Sequence, residues 1–214
     1  MREKQFVEGE YFHIFNKSIA GFGIFKDPVN ATRFVNVLDY YNNLIVVESF
    51  SKAVRSKLFI PQNLLYPKEN RLLKFISYCV MPDHYHLVVK ILKSHLLSKY
   101  INDIENSYTH YFNLKFDRIG PLWQTSFKAL RIISNEQLLH VTRYVHLNPT
   151  SSNLVDKPEE WDHSSYRDFI TDERILNNYI TDISINSIKH YKKFVVDQKD
   201  YQRKLKLIRK LMLD

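Results

Sequence analysis

One stretch decides the fold of this sequence: Met81-Pro82-Asp83-His84-Tyr85-His86-Leu87-Val88-Val89-Lys90. It contains a His-x-His pair that opens an apolar run. Because side chains alternate along a strand, His84 and His86 point to one face, with Cα atoms about 7 Å apart. Tyr85, Leu87 and Val89 then point to the other face, into a core. Two imidazoles at this spacing can bind one metal ion from one side.

The composition is that of a globular protein with a basic surface. Of the 214 residues, 44% are hydrophobic and 25% are charged, which is ordinary for a folded domain. Lys and Arg outnumber Asp and Glu by 31 to 23, giving a net charge of +8. This excess favours a polyanionic partner, with nucleic acid ahead of an anionic membrane surface, although plain solubility charge is the alternative.

Cysteine usage and hydropathy exclude several classes of protein. Cys79 is the only cysteine, so an intrachain disulfide and a cysteine-based zinc site are excluded. No stretch reaches the roughly 18 apolar residues of a membrane span. The N-terminal Met1-Arg2-Glu3-Lys4-Gln5 lacks the apolar core of a signal peptide. We therefore expect a cytoplasmic protein with no membrane partner.

The first part of the chain predicts a strand, a helix and a second short strand. Glu8 to Asn16 has the composition of a strand. Asp27-Pro28 resembles a helix start, and apolar residues follow at helical spacing. Val46 to Phe50 is interpreted as a short strand. The charged stretch from Lys52 to Asn70, with two prolines, is interpreted as a loop.

The central part predicts a hairpin followed by a helix, a strand and a second helix. Leu72 to Val80 and His84 to Leu92 are strand-like runs separated by a turn. Ser94 to Leu114 is helical, with Ser94 as N-cap. Another strand lies within Leu122 to Ile132. Ser134-Asn135-Glu136-Gln137 resembles a capping box, and this helix should end near Leu147 because Pro149 disfavours helical geometry at the preceding residue.

This order predicts an α+β fold with an antiparallel sheet of the ferredoxin-like or RRM-like kind. Two helices should cover one face of the sheet. The other face should carry the histidines and stay open for a ligand or for the third helix. We expect one domain over residues 1–170 and a basic helical C-terminal extension over residues 171–214.

The helix that begins at Ser134 brings two polar side chains together. Tyr144 and Asn148 are separated by four residues, so they lie one above the other at the border of the apolar face. A helix lying across the sheet can present both to His84 and His86.

The chemistry of this group is that of a nuclease centre. Two neutral imidazoles and the Asn148 oxygen can hold a divalent ion, for which Mg²⁺ or Mn²⁺ suits the mixed donors. Tyr144 can then attack phosphorus and form a covalent phosphotyrosine. Spacing alone leaves Tyr108 and Tyr111 open as the nucleophile, and a lone His-x-His pair can also be structural.

Motifs along the chain resemble one family in the same order. The motifs are Met81 to Val89, Leu122-Trp123-Gln124 with Phe127-Lys128, Arg143-Tyr144-Val145-His146-Leu147-Asn148-Pro149, and Ser164-Ser165-Tyr166-Arg167. The opening Tyr11-Phe12-His13-Ile14-Phe15-Asn16-Lys17 is similar too. Together they resemble the HUH single-tyrosine transposases of insertion sequences, and most closely the REP-associated tyrosine transposases, over about residues 8–170.

The resemblance implies a ferredoxin-like catalytic domain that cleaves single-stranded DNA, usually beside a hairpin. It implies that His84 and His86 are the metal-binding pair, that Tyr144 is the nucleophile and that Asn148 is the third metal ligand. The products would be a 5′-phosphotyrosine and a free 3′-OH. In this superfamily the tyrosine helix is used in cis or exchanged between subunits, so a monomer and a homodimer both stay open.

Three basic residues are candidate DNA contacts: Lys90, Lys128 and Arg131. Surface charge is the alternative for each. Two other functions stay open. One is a non-catalytic protein that binds hairpin or single-stranded nucleic acid through the sheet and needs no metal. The other is a zinc hydrolase that recruits a third histidine, such as His13 or His146.

Overall fold

The computed structural model describes residues 6–66, 68–183, 185 and 187–199. Within them, four strands form one sheet: β1 (Tyr11–Lys17), β2 (Leu73–Val80), β3 (His84–Ile91) and β4 (Lys128–Ile132). Seven α-helices accompany it: α1 (Pro28–Tyr41), α2 (Phe50–Arg55), α3 (Leu97–Lys115), α4 (Asn135–Ser151), α5 (Tyr166–Thr171), α6 (Glu173–Ile183) and α7 (Ile188–Val196). Short 3₁₀ turns lie at Ile19–Gly21 and Pro158–Glu160.

The sheet has the order β2-β3-β1-β4, and each neighbouring pair is antiparallel. This is the split β-α-β arrangement of ferredoxin-like folds, so the predicted α+β class is confirmed. β1 and β3 are the two central strands, and Phe15 lies directly opposite His86. The histidine pair therefore lies at the beginning of a central strand, where the neighbouring strands fix its position.

Helices cover both faces of the sheet. On one face, the Tyr85 hydroxyl donates to Glu105 of α3 at 2.6 Å, and the Tyr85 ring lies 5.2 Å from that of Phe34 in α1. On the other face, α4 packs against β2 and β3. Helices α1 and α3 therefore form the predicted two-helix layer. Helix α4 covers the face that carries His84 and His86.

Two helix starts and one strand differ from the sequence prediction. Ser94 does not cap α3, which begins at Leu97; its hydroxyl instead accepts from the Glu8 amide at 2.9 Å. The strand predicted over Val46 to Phe50 is absent from the described sheet, and Val47 is 90% exposed. Ser49 instead caps α2. A strand needs a partner edge, and the run from Val46 to Phe50 pairs with none of the described strands; the end of β2, from Tyr78 to Val80, is instead paired with residues 163–165.

The end of α4 also differs from the prediction. Ser134 caps the helix by accepting from the Gln137 amide at 3.1 Å, as expected. The helix nevertheless continues through Pro149 to Ser151. Proline removes only one helical hydrogen bond, and the Ser151 hydroxyl donates to the Leu147 carbonyl at 2.8 Å. Asn148 is therefore inside the helix and keeps its alignment with Tyr144.

Helices α5, α6 and α7 pack together, and α6 and α7 lie against α4. At the centre of this contact, His146 of α4 is fully buried. Its Nδ1 lies 2.6 Å from the Tyr191 hydroxyl of α7, and its Nε2 lies 2.7 Å from the Ser165 hydroxyl. The part of the predicted basic extension at residues 200–214 lies outside the described residues, and the domain division at residue 170 stays a prediction.

The buried His146 predicts acid sensitivity of the fold. Burial lowers the pKa of His146 to about 3, against about 6.5 in an unfolded chain. At a pH between these two pKa values, His146 is protonated in the unfolded chain and neutral in the folded chain. The free energy of unfolding should therefore fall as the pH falls, by up to about 1.4 kcal/mol per pH unit.

Urea unfolding from pH 7 to pH 4 measures this effect, with His146→Gln as the comparison. The variant should be less stable at pH 7 and lose less stability on acidification than the wild type. Equal pH dependence in both proteins would contradict the assignment to His146.

None of the helices in the described residues has the length and apolar character needed to cross a membrane.

Candidate active site

A cavity of about 410 Å³ lies between the histidine face of the sheet and α4. His84, His86, Tyr144 and Asn148, the four residues predicted as the chemical centre, all line it. The other lining residues are Phe15, Asn16, Lys17, Gln124, Thr125 and Lys128. Strands β1, β3 and β4 and helix α4 thus bring together residues that are up to 133 positions apart in the chain, from Phe15 to Asn148.

The rings at the centre of this cavity are close to one another. The centroids of His84 and His86 are 5.0 Å apart, with planes at 89°. The Tyr144 ring lies 5.6 Å from that of His86. Tyr144 is 39% exposed, whereas Asn148 is 2% exposed. The tyrosine can therefore be reached from solvent.

Asp83 orients the His84 ring. Its Oδ1 lies 2.6 Å from His84 Nδ1, and its Oδ2 lies 3.2 Å from Lys17 Nζ. Burial raises the pKa of Asp83, but hydrogen bonds from His84 and Lys17 outweigh burial and lower that pKa to about 2. An ionised carboxylate only accepts, so His84 Nδ1 donates, and in the neutral ring the lone pair is on Nε2.

A third histidine lies beside His86. His13 Nε2 is 3.0 Å from His86 Nδ1, and the two rings are stacked with centroids 5.1 Å apart. Burial lowers the pKa of His13 to about 4, so the ring is neutral at pH 7. Sequence reasoning considered His13 only as a zinc ligand. The alternation along β1 puts His13, Phe15 and Lys17 on one face, but only the register of β1 against β3 places His13 beside His86.

A buried carboxylate supports the floor of the cavity. Glu105 of α3 accepts from Asn16 Nδ2 at 2.8 Å, and Asn16 also donates to the Thr125 carbonyl at 2.9 Å. Burial raises the pKa of Glu105, although its hydrogen bonds oppose this. The backbone N–H of Gln124 donates to the Lys17 carbonyl at 2.9 Å. This bond holds the Gln124 side chain at the cavity. The sequence alone assigns no role to Glu105, Asn16 or Gln124.

Only one of the three predicted DNA contacts lines the cavity. Lys128 lies opposite Phe15 at the cavity wall. Arg131 lies three residues further along β4 and hence on the opposite face, where it pairs with Glu10 at 2.7 Å. Lys90 shares the histidine face, but its Nζ lies 3.7 Å from Asp182 of α6, outside the cavity. The DNA contacts stay predictions, with Lys128 the best placed.

Tyr108, Tyr111 and His146, the other candidate nucleophiles and a candidate zinc ligand, do not line this cavity. The hydroxyl of Tyr108 donates to the Ile24 carbonyl at 2.8 Å, and that of Tyr111 donates to Asn30 at 3.0 Å, so both lie on the α1–α3 side. His146 is buried between α4, Ser165 and α7. In the part of the chain that the structure describes, no group of three His, Cys, Asp or Glu side chains could hold a metal ion.

The resemblance to tyrosine transposases is confirmed by comparison with known proteins. The family model described as "Transposase IS200 like" matches residues 47–148, a range that contains His84, His86, Tyr144 and Asn148. No curated protein matches the sequence.

Two solved structures match this chain. One is the REP-associated tyrosine transposase bound to a REP hairpin, with a TM-score of 0.55 and 14% identity over 78% of this chain and 83% of that chain. The other is a candidate transposase from Deinococcus radiodurans R1, with a TM-score of 0.37 and 15% identity over 68% of this chain and 95% of that chain. At 14% identity, the similarity to the REP-associated tyrosine transposase supports the fold alone.

Proposed function

We propose, from the transposase family match and the arrangement of the cavity, that this chain cleaves and rejoins single-stranded DNA through Tyr144. The observation that carries the proposal is the position of the Tyr144 ring, 5.6 Å from His86 in a cavity that also contains His84 and Asn148. Nucleophile and candidate metal ligands are close together within one chain, which is compatible with use of the tyrosine in cis. A homodimer stays a prediction.

The residues present fit a divalent metal ion. Asp83 and His13 each engage Nδ1 of one imidazole, which is how metal-binding histidines are commonly oriented. His84, His86 and the Asn148 amide supply nitrogen and oxygen donors, a set that suits Mg²⁺ or Mn²⁺ held weakly. A bound ion would polarise the scissile phosphate and offset the developing negative charge.

The remaining chemistry belongs to the side chains around the cavity. As the Tyr144 oxygen forms its bond to phosphorus, the bond from phosphorus to the 3′ oxygen breaks. The phenol loses its proton, and the departing oxygen gains one to become a 3′-OH. A phenolate is a good leaving group, so the reverse attack by a 3′-OH rejoins a strand. Lys128 and Lys17 lie where they can bind phosphates that flank the reacting one.

Hairpin DNA is the proposed substrate. The net charge of +8 favours a polyanion, and the similar REP-associated tyrosine transposase was solved with a REP hairpin. Adduct formation tests the proposal: the full chain is mixed with labelled hairpin and single-stranded oligonucleotides from the DNA that flanks its gene, with Mg²⁺, Mn²⁺ or EDTA. A metal-dependent covalent band on a denaturing gel is expected. Binding without an adduct on any oligonucleotide would instead favour the non-catalytic binder.

Removal of the Lys128 charge should weaken DNA binding uniformly across sequences. If Lys128 contacts one phosphate, Lys128→Ala should lower affinity roughly fivefold and flatten the slope of log affinity against log salt by about 0.7. Fluorescence anisotropy at several salt concentrations measures both. If DNA follows the cavity, Arg131→Ala, which removes the same charge from the opposite face of β4, should lower affinity by less than about twofold and leave the slope unchanged. Equal losses in both variants would mean that DNA does not follow the cavity.

A further inference from the structure

We propose that His13 is a positioning residue that fixes the tautomer of His86, so that His86 presents the lone pair of Nε2 to a metal ion. This inference rests on the proposed role of His86 as a metal ligand. It gives His13 a function distinct from that of a ligand, because His13 would act only through its neighbour.

The contact between the two rings is well defined. His13 Nε2 lies 3.0 Å from His86 Nδ1, the distance of an ordinary hydrogen bond. The ring planes meet at 24°, and both side chains are buried, with 8% and 6% of their surfaces exposed. Both residues belong to the two central strands, which hold the rings in this relation. The partner of His86 Nδ1 is thus a fixed part of the sheet.

Hydrogen-bond polarity connects this contact to metal binding. A bond between two ring nitrogens needs one N–H donor and one lone pair. If His86 Nδ1 donates, the neutral His86 ring has its lone pair on Nε2, where it can bind a metal. If His13 Nε2 donates instead, the proton of His86 is on Nε2 and ligation through that atom is blocked. His13 favours the first arrangement only when its own proton is on Nδ1.

The two candidate ligand histidines therefore have partners of different charge. Asp83 fixes the His84 tautomer as an anion, whereas a neutral His13 would fix that of His86 without adding charge. A neutral partner raises ligand basicity less than a carboxylate does. This suits a site that must release its metal and its polyanionic product.

Metal affinity measured without DNA tests the role of His13. Mn²⁺ is titrated into the full chain by calorimetry and by electron paramagnetic resonance. His13→Phe keeps the ring shape but removes the acceptor, and its Mn²⁺ affinity should fall 10- to 100-fold. His13→Gln can place an amide oxygen near the position of Nε2 and should restore affinity to within about threefold of the wild type. Thermal unfolding verifies that each variant folds.

The tautomer itself can be read in the wild-type protein, which needs no variant to fold. Long-range ¹H–¹⁵N spectra recorded in EDTA, without metal, should show the proton of His86 on Nδ1. A proton on Nε2 would overturn the inference, as would equal Mn²⁺ affinities in wild type and folded His13→Phe. If the wild type binds Mn²⁺ and only the variant comparison fails, the metal site stands and His13 merely packs. If the wild type binds no Mn²⁺, the proposed metal site and this inference fail together.

Discussion

Tyr144→Phe is expected to abolish the covalent protein–DNA adduct, with a loss on the order of 10³-fold or more, because no other group replaces an absent nucleophile. The substitution keeps the ring, which lies 6.0 Å from His13 and 5.6 Å from His86, and removes only the hydroxyl. Hairpin affinity should therefore stay within about tenfold, since the lost hydroxyl contributes at most one hydrogen bond. Denaturing gels measure the adduct, and anisotropy measures binding.

Tyr111→Phe is the matched control, because it removes one hydroxyl from a partly buried tyrosine on the α1–α3 side. Its adduct yield should equal that of the wild type. An adduct that persists undiminished in Tyr144→Phe would remove Tyr144 from the mechanism, and mass spectrometry of the DNA-linked peptide would then identify the tyrosine in use.

The double substitution His84→Ala/His86→Ala is expected to have the second-largest effect. It removes both imidazoles from the cavity, so a divalent ion loses two of the three proposed protein ligands. Adduct formation should fall at least about 10²-fold at every Mg²⁺ concentration, since the charge on the scissile phosphate is no longer offset. Hairpin binding in EDTA should persist, because Lys128 and the rest of the basic surface are unchanged.

His110→Ala is the control for this pair, since His110 lies on α3, away from the histidine face. Calorimetry with Mn²⁺ should show binding in wild type and His110→Ala, and none in the double variant. A double variant that forms adduct at the wild-type rate would exclude these histidines as metal ligands. A double variant that loses hairpin binding in EDTA while remaining folded would assign them to DNA contact instead.

The parts of the site that follow from local periodicity could be predicted from the sequence. Alternation along β3 places His84 and His86 on one face in any strand, whatever its neighbours. The four-residue spacing of Tyr144 and Asn148 aligns them on any helix. Few sheet topologies are compatible with the predicted order of strands and helices, and the ferredoxin-like topology is the one observed.

The features that depend on neighbouring strands could not be predicted in the same way. The contact between His13 and His86 requires the register of β1 against β3, which no local pattern gives. Lys128 and Arg131 could be separated only once both were known to lie on β4, where odd spacing puts them on opposite faces. The apolar run that includes Val47 has the composition of a strand, yet it pairs with none of the described strands.

The contact of His146 with Tyr191 bears on how short a working fragment of this protein can be. A fragment of residues 1–170 would contain every residue of the cavity but lack α6 and α7, whose Tyr179, Tyr191 and Val195 side chains are buried. His146 would lose one of its two hydrogen-bond partners, and the outer side of α4 would be open to water. The helix that holds Tyr144 would then be supported by the sheet on one side only. A shortened version for crystallisation or genome engineering should therefore extend at least through α7.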